Sequence, residues 1–223
     1  MHASPKQTPP ETAEAKARPL RRDAEENRRR LLAAAGELFA ESGFEATMDE
    51  IAKRAGLGVG TAYRRFANKD ELIGALFEDR IAKLVAVADE ALEIADPWEG
   101  LIVFLEQAVE LQARDRGLKE LLFSSPRSRE YVGQARLQIK PRVDALVERA
   151  QRAGRLREGI EATDLALIQL MLSGISDLAR EQDPELWRRF LPLFITGLSV
   201  ERSQPLPGRA LSSDELEAAI ESA

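Results

Sequence analysis

"AGLGVGTAYRRFANKDEL" occupies residues 55–72 and places Gly56, Gly58 and Gly60 at every second position, ahead of two arginines. Such a stretch is either a loop that cradles a nucleotide phosphate or a turn that aims a basic helix at an acidic partner. A dinucleotide loop requires a third glycine where the chain has Thr61, and it follows a strand, whereas a capped helix is predicted here. A P-loop requires a glycine pattern before Lys69 and a Ser or Thr after it, and neither is present. The nucleotide interpretation therefore fails.

The residues around the glycines carry helix signals. Thr47 and Glu50 have the spacing of a capping box, so a second helix is predicted to start there and to stop at Gly56. A third helix is predicted over about 58–66, and Asn68 or Asp70 caps a fourth helix that extends to about residue 94. Two short helices joined by a glycine turn predict a helix-turn-helix.

The third helix has two different faces. Ala62 and Phe66 lie four residues apart on the buried face, whereas Thr61, Arg64 and Arg65 face solvent. Arginine binds guanine edges in the major groove and hydroxyls reach phosphates, so this face suits DNA. The alternative is a solvated surface helix that only packs its apolar side.

The rest of the chain is also predicted to be helical, because no stretch shows sustained alternation of apolar and polar residues. The fold class is therefore all-α. Residues 1–20 are predicted to be a disordered tail, 21–70 a DNA-binding domain, 71–202 an effector-binding and dimerisation domain, and 203–223 a C-terminal tail. Further helices are expected at 23–42, from Pro97, at 117–124, at 127–153 with an interruption at Pro141, at 163–182, at 184–201, and after a possible cap at Ser213.

The amino-acid composition excludes several classes of function. The chain has no cysteine, and its single histidine is His2, so histidine- or cysteine-based catalysis and metal binding are not expected. Net charge is −6, but residues 1–70 carry 13 Lys and Arg against 11 Asp and Glu, which leaves the acidic excess in the remainder. No signal peptide or membrane-spanning run is recognisable, so a cytoplasmic protein that does not contact a membrane is expected. The sequence has no cysteine, usable histidine, metal cluster or nucleophile elbow, so neither an enzyme nor a cofactor is expected.

Residues 31–77, from "LLAAAGELFAESGF" to "NKDELIGALF", resemble the DNA-binding domain of tetracycline-repressor (TetR) family regulators. The shared pattern comprises Phe39, Ser42, Gly43, Phe44, Thr47, Ile51, Ala52, Ala55, Gly56, Gly60, Thr61, Tyr63, Phe66 and Lys69. The resemblance implies that Thr47, Thr61, Tyr63 and Lys69 contact phosphates and that Arg64, with Arg65, reads bases. Gly60 has no side chain, so the backbone can approach a groove closely there. Many members have Ser-Lys where this chain has Gly58-Val59, a departure that concerns phosphate contacts at this corner.

The last two long helices carry apolar surfaces wide enough to be buried on two sides. The resemblance implies that an identical subunit covers one side, as a four-helix dimer interface. The predicted interface residues are Leu165, Ile168, Leu172, Ile175, Ala179, Phe190, Phe194 and Leu198. A monomeric bundle with a wide core is the alternative.

An effector pocket is predicted among the helices of the C-terminal half. Its candidate residues are Phe104, Gln107, Leu111, Phe123, Leu137, Met171 and Ile175, and plain core packing is the alternative for each of them. These patterns together predict a dimeric regulator, most simply a repressor that binds a palindromic operator in double-stranded DNA and is released by an unidentified small molecule. The competing hypothesis is a helical DNA-binding protein without an effector.

Overall fold

The architecture is all-α in a computed structural model that describes residues 12–114, 128–202 and 206–221. The described helices are α1 (Thr12–Ser42), α2 (Met48–Arg54), α3 (Val59–Arg65), α4 (Lys69–Glu93), α5 (Pro97–Arg114), α6 (Ser128–Arg152), α7 (Ala162–Leu178), α8 (Trp187–Leu198) and α9 (Ser213–Glu221), with 3-10 turns at Gly43–Glu45 and Val200–Arg202. Within these ranges there is no strand, only an isolated bridge between Leu156 and Ser199.

The predicted helix caps form as expected. Thr47 and Glu50 make a complete capping box at α2, and the Asn68 side chain accepts from the Glu71 amide at the start of α4. Asp96 accepts from the first free amides of α5, at 2.8 and 3.1 Å, which lowers the pKa of its carboxyl. Each cap satisfies amides that the helix itself leaves without a partner.

Several predicted boundaries were wrong. α1 begins at Thr12 rather than Asp23, so residues 12–20 are helical and not a disordered tail; their alanines and charged residues have high helix propensity. α8 begins and ends about three residues inside the predicted 184–201. Ser212, not Ser213, caps α9, since its hydroxyl accepts from the Glu215 amide. The helix expected at 117–124 lies outside the described residues.

Pro141 does not interrupt α6, contrary to the prediction. A proline inside a helix removes one amide donor. Here α6 packs along α4 and α5, and this packing holds the helix together across the proline. Tertiary packing therefore outweighs the local preference.

The buried side chains form two hydrophobic clusters. The first joins α1 to α4 from Leu31 to Ile81, and the second runs from Ala88 in α4 to Leu198 in α8. α4 contributes to both clusters, so it is the element through which the helix-turn-helix and the C-terminal helices are packed together.

α6 holds the C-terminal half of α4 with two arginines. Arg142 donates to Asp89 at 2.7 Å, and Arg149 donates to the carbonyls of Leu92 and Ile94 at 2.5 and 2.9 Å. The last carbonyls of a helix have no partner within it, so Arg149 acts as a side-chain cap for α4. Arg142 and Arg149 therefore tie α6 to the C-terminal half of α4.

Candidate DNA interface and effector cavity

The turn between α2 and α3 is fixed from both sides. Gly56 has φ of 65°, a left-handed conformation that favours glycine. Arg30 of α1 donates to the carbonyls of Ala55 and Gly56, at 2.5 and 3.2 Å, and so caps the end of α2. Sequence reasoning missed this role, because nothing in the run of three arginines at 28–30 distinguishes the one that faces the turn.

The outer face of α3 is exposed to solvent. Val59, Tyr63 and Arg64 are exposed, whereas Ala62 is completely buried beneath them. A Cβ built on Gly60 meets no atom within 4 Å, so nothing inside the described chain requires glycine at this position. Thr61 is half-buried, and its hydroxyl accepts from Arg64 at 3.2 Å.

Arg65 lies on a different side of α3 from Arg64. Its guanidinium is 3.6 Å from the Glu25 carboxylate of α1, and its buried Nε has no hydrogen-bond partner among the described residues. Arg65 therefore ties α3 to α1, and the structure does not place it beside Arg64 on the outer face.

Lys69 is also turned into the protein. It donates to the Phe44 carbonyl, and its ammonium lies 6.0 Å from the centre of the Phe39 ring. This arrangement joins the start of α4 to the corner after α1. The side chain that sequence reasoning assigned to a phosphate thus already has a structural partner.

Thr47 combines a capping role with exposure. Its amide and hydroxyl donate to Glu50 at 2.7 and 2.8 Å, and the Glu50 amide donates back to the hydroxyl at 3.3 Å. The hydrogen bond from the Thr47 amide is the main cause that lowers the pKa of Glu50. Thr47 remains at the surface near the start of α2.

A cavity of about 190 Å³ lies between the C-terminal helices. Its walls come from α4, α5, α6, α7 and, unexpectedly, α9. The lining residues are Leu84, Phe104, Ala135, Arg136, Ile139, Lys140, Val143, Ala162, Thr163, Leu165, Ala166, Gln169, Leu170, Ser213, Leu216, Glu217 and Ile220. A mostly apolar cavity with a few polar groups is the usual form of a small-molecule site.

Most predicted pocket residues lie elsewhere. Phe104 lines the cavity, and Phe123 lies outside the described residues. Gln107 is exposed, Leu137 is 78% exposed and Met171 is 50% exposed, because their helices turn the opposite face to the cavity. Ile175 packs against the second cluster, and Leu111 lines a separate crevice between α1, α4 and α5. Apolar periodicity does not reveal which of two apolar faces encloses space.

Six polar side chains line the cavity: Ser213 and Glu217 of α9, and four from α6 and α7. Gln169 accepts from Gln112 at 3.0 Å, Lys140 pairs with Asp144 of the same helix at 2.5 Å, and Thr163 donates to the Leu211 carbonyl at 2.8 Å. The fourth, Arg136, pairs with Asp214 and Glu217 of α9, at 2.5 and 3.2 Å. These carboxylates, Asp214 foremost, raise the pKa of Arg136.

The predicted dimer residues divide between core and surface. Leu165, Ile168, Leu172, Ala179 and Leu198 are buried within the chain itself, so they are not available to a partner. Ile175, Phe190 and Phe194 are partly buried against the same cluster.

A different row on the same two helices is exposed, and we call it the α7–α8 face. It comprises Met171, Gly174, Leu178, Leu193 and Gly197; Leu178 is 87% exposed and Leu193 is 65% exposed. Five of the eight predicted interface residues therefore lie on the inner face of these helices, and the interface itself stays a prediction.

The described helices include none that is long and apolar enough to cross a membrane. Among the same residues, no group of three His, Cys, Asp or Glu side chains is arranged to hold a metal ion.

Two family models match this chain, one in its N-terminal part and one in its C-terminal part. Residues 31–76 match the family model for bacterial regulatory proteins of the tetR family, and residues 96–200 match that for the C-terminal domain of SbtR-like transcriptional regulators. A crystal structure of a TetR regulatory protein from Mycobacterium vanbaalenii is 32% identical, covers 81% of this chain and 99% of its own, and has a TM-score of 0.61. The TetR regulator SCO0520 from Streptomyces coelicolor is 27% identical, covers 78% of this chain and 99% of its own, and has a TM-score of 0.60.

A curated relative extends the comparison. The fatty acid metabolism regulator protein of Bacillus subtilis is 27% identical over 154 residues, which are 66% of this chain and 78% of that protein. The chain belongs to the TetR family of bacterial regulators. It is accordingly a ligand-responsive transcriptional regulator with a helix-turn-helix DNA-binding domain.

Proposed function

We propose that the protein is a dimeric repressor that binds a palindromic operator through α3 and leaves it when a small molecule occupies the cavity. The observation that carries this proposal is the outer face of α3, where Tyr63 and Arg64 are exposed beside Gly60, a glycine that the fold itself does not require. An exposed helix face that carries an arginine beside a glycine fits the major groove.

The proposed contacts differ in kind. Arg64 reads a base edge, while Thr47, Thr61 and Tyr63 reach phosphates on either side of it. Gly60 allows the α3 backbone to approach the DNA. The sequence predicts DNA contacts for Arg65 and Lys69. We propose instead that they position α3 and α4, because Glu25 and the Phe44 carbonyl hold them.

The α7–α8 face supports dimerisation. Leu178 and Leu193 are large apolar side chains that extend into solvent, and the glycines at 174 and 197 have open space around them. Exposed apolar patches of this kind mark interaction sites, and small residues let two helices approach closely. An identical subunit on this face would present two α3 helices to two half-sites.

The helices provide a route from the cavity to DNA. α6 lines the cavity and also holds α4 through Arg142 and Arg149, and Leu84 of α4 lines the cavity directly. α4 starts at Lys69, next to α3. A ligand that displaces α6 or α4 therefore changes the distance between the recognition helices of a dimer, which DNA fixes near one helical turn, about 34–36 Å.

Protection mapping on DNA from around the protein's own coding region tests the proposal. We expect a palindromic footprint that weakens when a small molecule binds the cavity. Uniform coating of the DNA without a defined site would favour the alternative, a helical DNA-binding protein without an effector. Binding to operator DNA in a bacterial cell would place the protein in the cytoplasm.

A further inference from the structure

The C-terminal segment 206–221 closes one side of the cavity. Leu216 and Ile220 of α9 contribute apolar side chains to its lining, and Ser213 and Glu217 complete that wall. The segment is organised by its own contacts: Arg209 pairs with Glu215 at 2.6 Å, and Ser212 and Glu215 cap the start of α9. These contacts link the loop before α9 to its first turn, and we call residues 206–221 the C-terminal unit.

Polar contacts from α6 and α7 attach this unit to the rest of the described chain. Arg136 of α6 binds Asp214 and Glu217, and Thr163 of α7 donates to the Leu211 carbonyl. A nine-residue helix is too short to be stable alone in water, so α9 is ordered mainly because it is docked. Exposed ion pairs contribute little to stability, which makes this docking easy to reverse.

Displacement of α9 would leave one cavity cation without its partners. Both carboxylates that pair with Arg136 among the described residues belong to α9. Lys140, the other cation of the lining, keeps Asp144, which lies on its own helix. A carboxylate from a ligand can form the same charge-assisted hydrogen bonds with Arg136, so a ligand that displaces α9 is favoured if it brings an anion.

We propose that α9 is a built-in competitor for the cavity, and that the effector is an amphipathic anion whose apolar part replaces Leu216 and Ile220 and whose charge replaces Asp214 and Glu217 on Arg136. This inference rests on the proposed effector site and specifies the chemical class of its ligand. The exchange keeps Arg136 paired in both states, so the cavity selects a carboxylate over a neutral molecule of the same length.

Calorimetric titration of the full-length protein with decanoate, and with 1-decanol as its uncharged counterpart, tests the exchange. We expect decanoate to bind more tightly than 1-decanol, and we expect Arg136→Gln to abolish this preference. The double variant Asp214→Asn/Glu217→Gln should bind decanoate roughly three- to tenfold more tightly, because the competitor is weakened. The control Glu148→Gln/Glu181→Gln removes the same two charges away from the cavity and should bind as the unmodified protein does.

Hydrogen exchange of the α9 amides gives a second readout that a purely structural role would not move. Decanoate should accelerate exchange across residues 213–221, since the helix loses its docking site. Slower exchange in α9, equal affinities in all variants, or no decanoate binding at all would each overturn the inference. Operator binding without ligand is measured separately on the same proteins, so none of these outcomes would contradict the proposed DNA interface. If decanoate displaces α9 yet leaves operator affinity unchanged, the result supports α9 as a competitor for the cavity and contradicts the proposed coupling between the cavity and DNA binding.

Discussion

Arg64 and Arg65 are neighbours in sequence with different surroundings. Arg64 is exposed on the outer face of α3, whereas Arg65 faces Glu25 of α1. We predict that Arg64→Ala weakens binding to the preferred site by about 1–3 kcal/mol and relaxes specificity at one base pair per half-site. Fluorescence anisotropy on the site and on its single-base variants measures both effects.

Arg65→Ala is the matched control for this prediction. It should lower the free energy of unfolding by no more than about 1 kcal/mol and leave base preference unchanged. If instead Arg65→Ala relaxes specificity and Arg64→Ala weakens all sequences equally, the roles assigned to the two arginines are reversed.

Replacing Gly60 should change stability and DNA binding in opposite directions. Alanine there meets no atom within 4 Å, and alanine favours a helix over glycine, so Gly60→Ala should raise the free energy of unfolding by about 0.5 kcal/mol. The added methyl group would lie between the α3 backbone and DNA, so operator affinity should fall. Gly133→Ala in α6 should give a similar stabilisation with unchanged affinity. Tighter operator binding by Gly60→Ala would mean that the backbone does not approach the groove at this position.

At the scale of elements, the pH response of α9 follows from its cap. The hydrogen bonds from Arg209, followed by that from the Ser212 amide, lower the pKa of Glu215 from 4.5 to about 2. Because the folded-state pKa lies below the unfolded one, this cap contributes fully above pH 4.5 and is lost as the pH falls toward 2.

We therefore predict that α9 protection from hydrogen exchange, corrected for the intrinsic rate, stays constant between pH 7 and 5. Glu215→Gln should reduce that protection at both pH values, because the amide cannot pair with Arg209 as a carboxylate does. A loss of protection in the unmodified protein between pH 7 and 5 would contradict this role of Glu215.

The sequence was most informative about elements whose ends carry local chemistry. Thr47, Asn68 and Asp96 start helices where expected, since a cap depends on a few consecutive residues. The predicted interruption at Pro141 was wrong, because the packing of α6 against helices distant in sequence outweighs the local effect of proline. The wall that α9 forms was also invisible, as it depends on contacts such as Arg136 with Asp214, 78 residues apart.

For the whole molecule, the proposed dimer depends on the α7–α8 face. Leu178→Asp/Leu193→Asp should give soluble, folded monomers, because both side chains are exposed within the chain and no core contact is lost. Leu137→Asp is the control, since Leu137 is also largely exposed but lies on α6. Sedimentation velocity distinguishes the species. A dimeric double variant would place the interface elsewhere.

Which side of an apolar helix meets a partner was not predictable from periodicity. Leu165 and Leu172 share the stripe that the sequence assigned to the dimer, yet both are fully buried inside the chain. A helix that is apolar on two sides gives the same pattern whichever side faces the core. The DNA-binding half was more predictable, because its residues form one continuous motif around Gly56.

In the proposed dimer, two α3 helices bind two half-sites with a fixed separation. The most direct measurement is the affinity for the footprinted site before and after insertion of five base pairs between its half-sites. Since B-DNA turns once in about 10–10.5 base pairs, the insertion moves one half-site to the opposite side of the duplex. We predict that affinity falls to that of an isolated half-site. An affinity unchanged by the insertion would contradict simultaneous binding by two recognition helices.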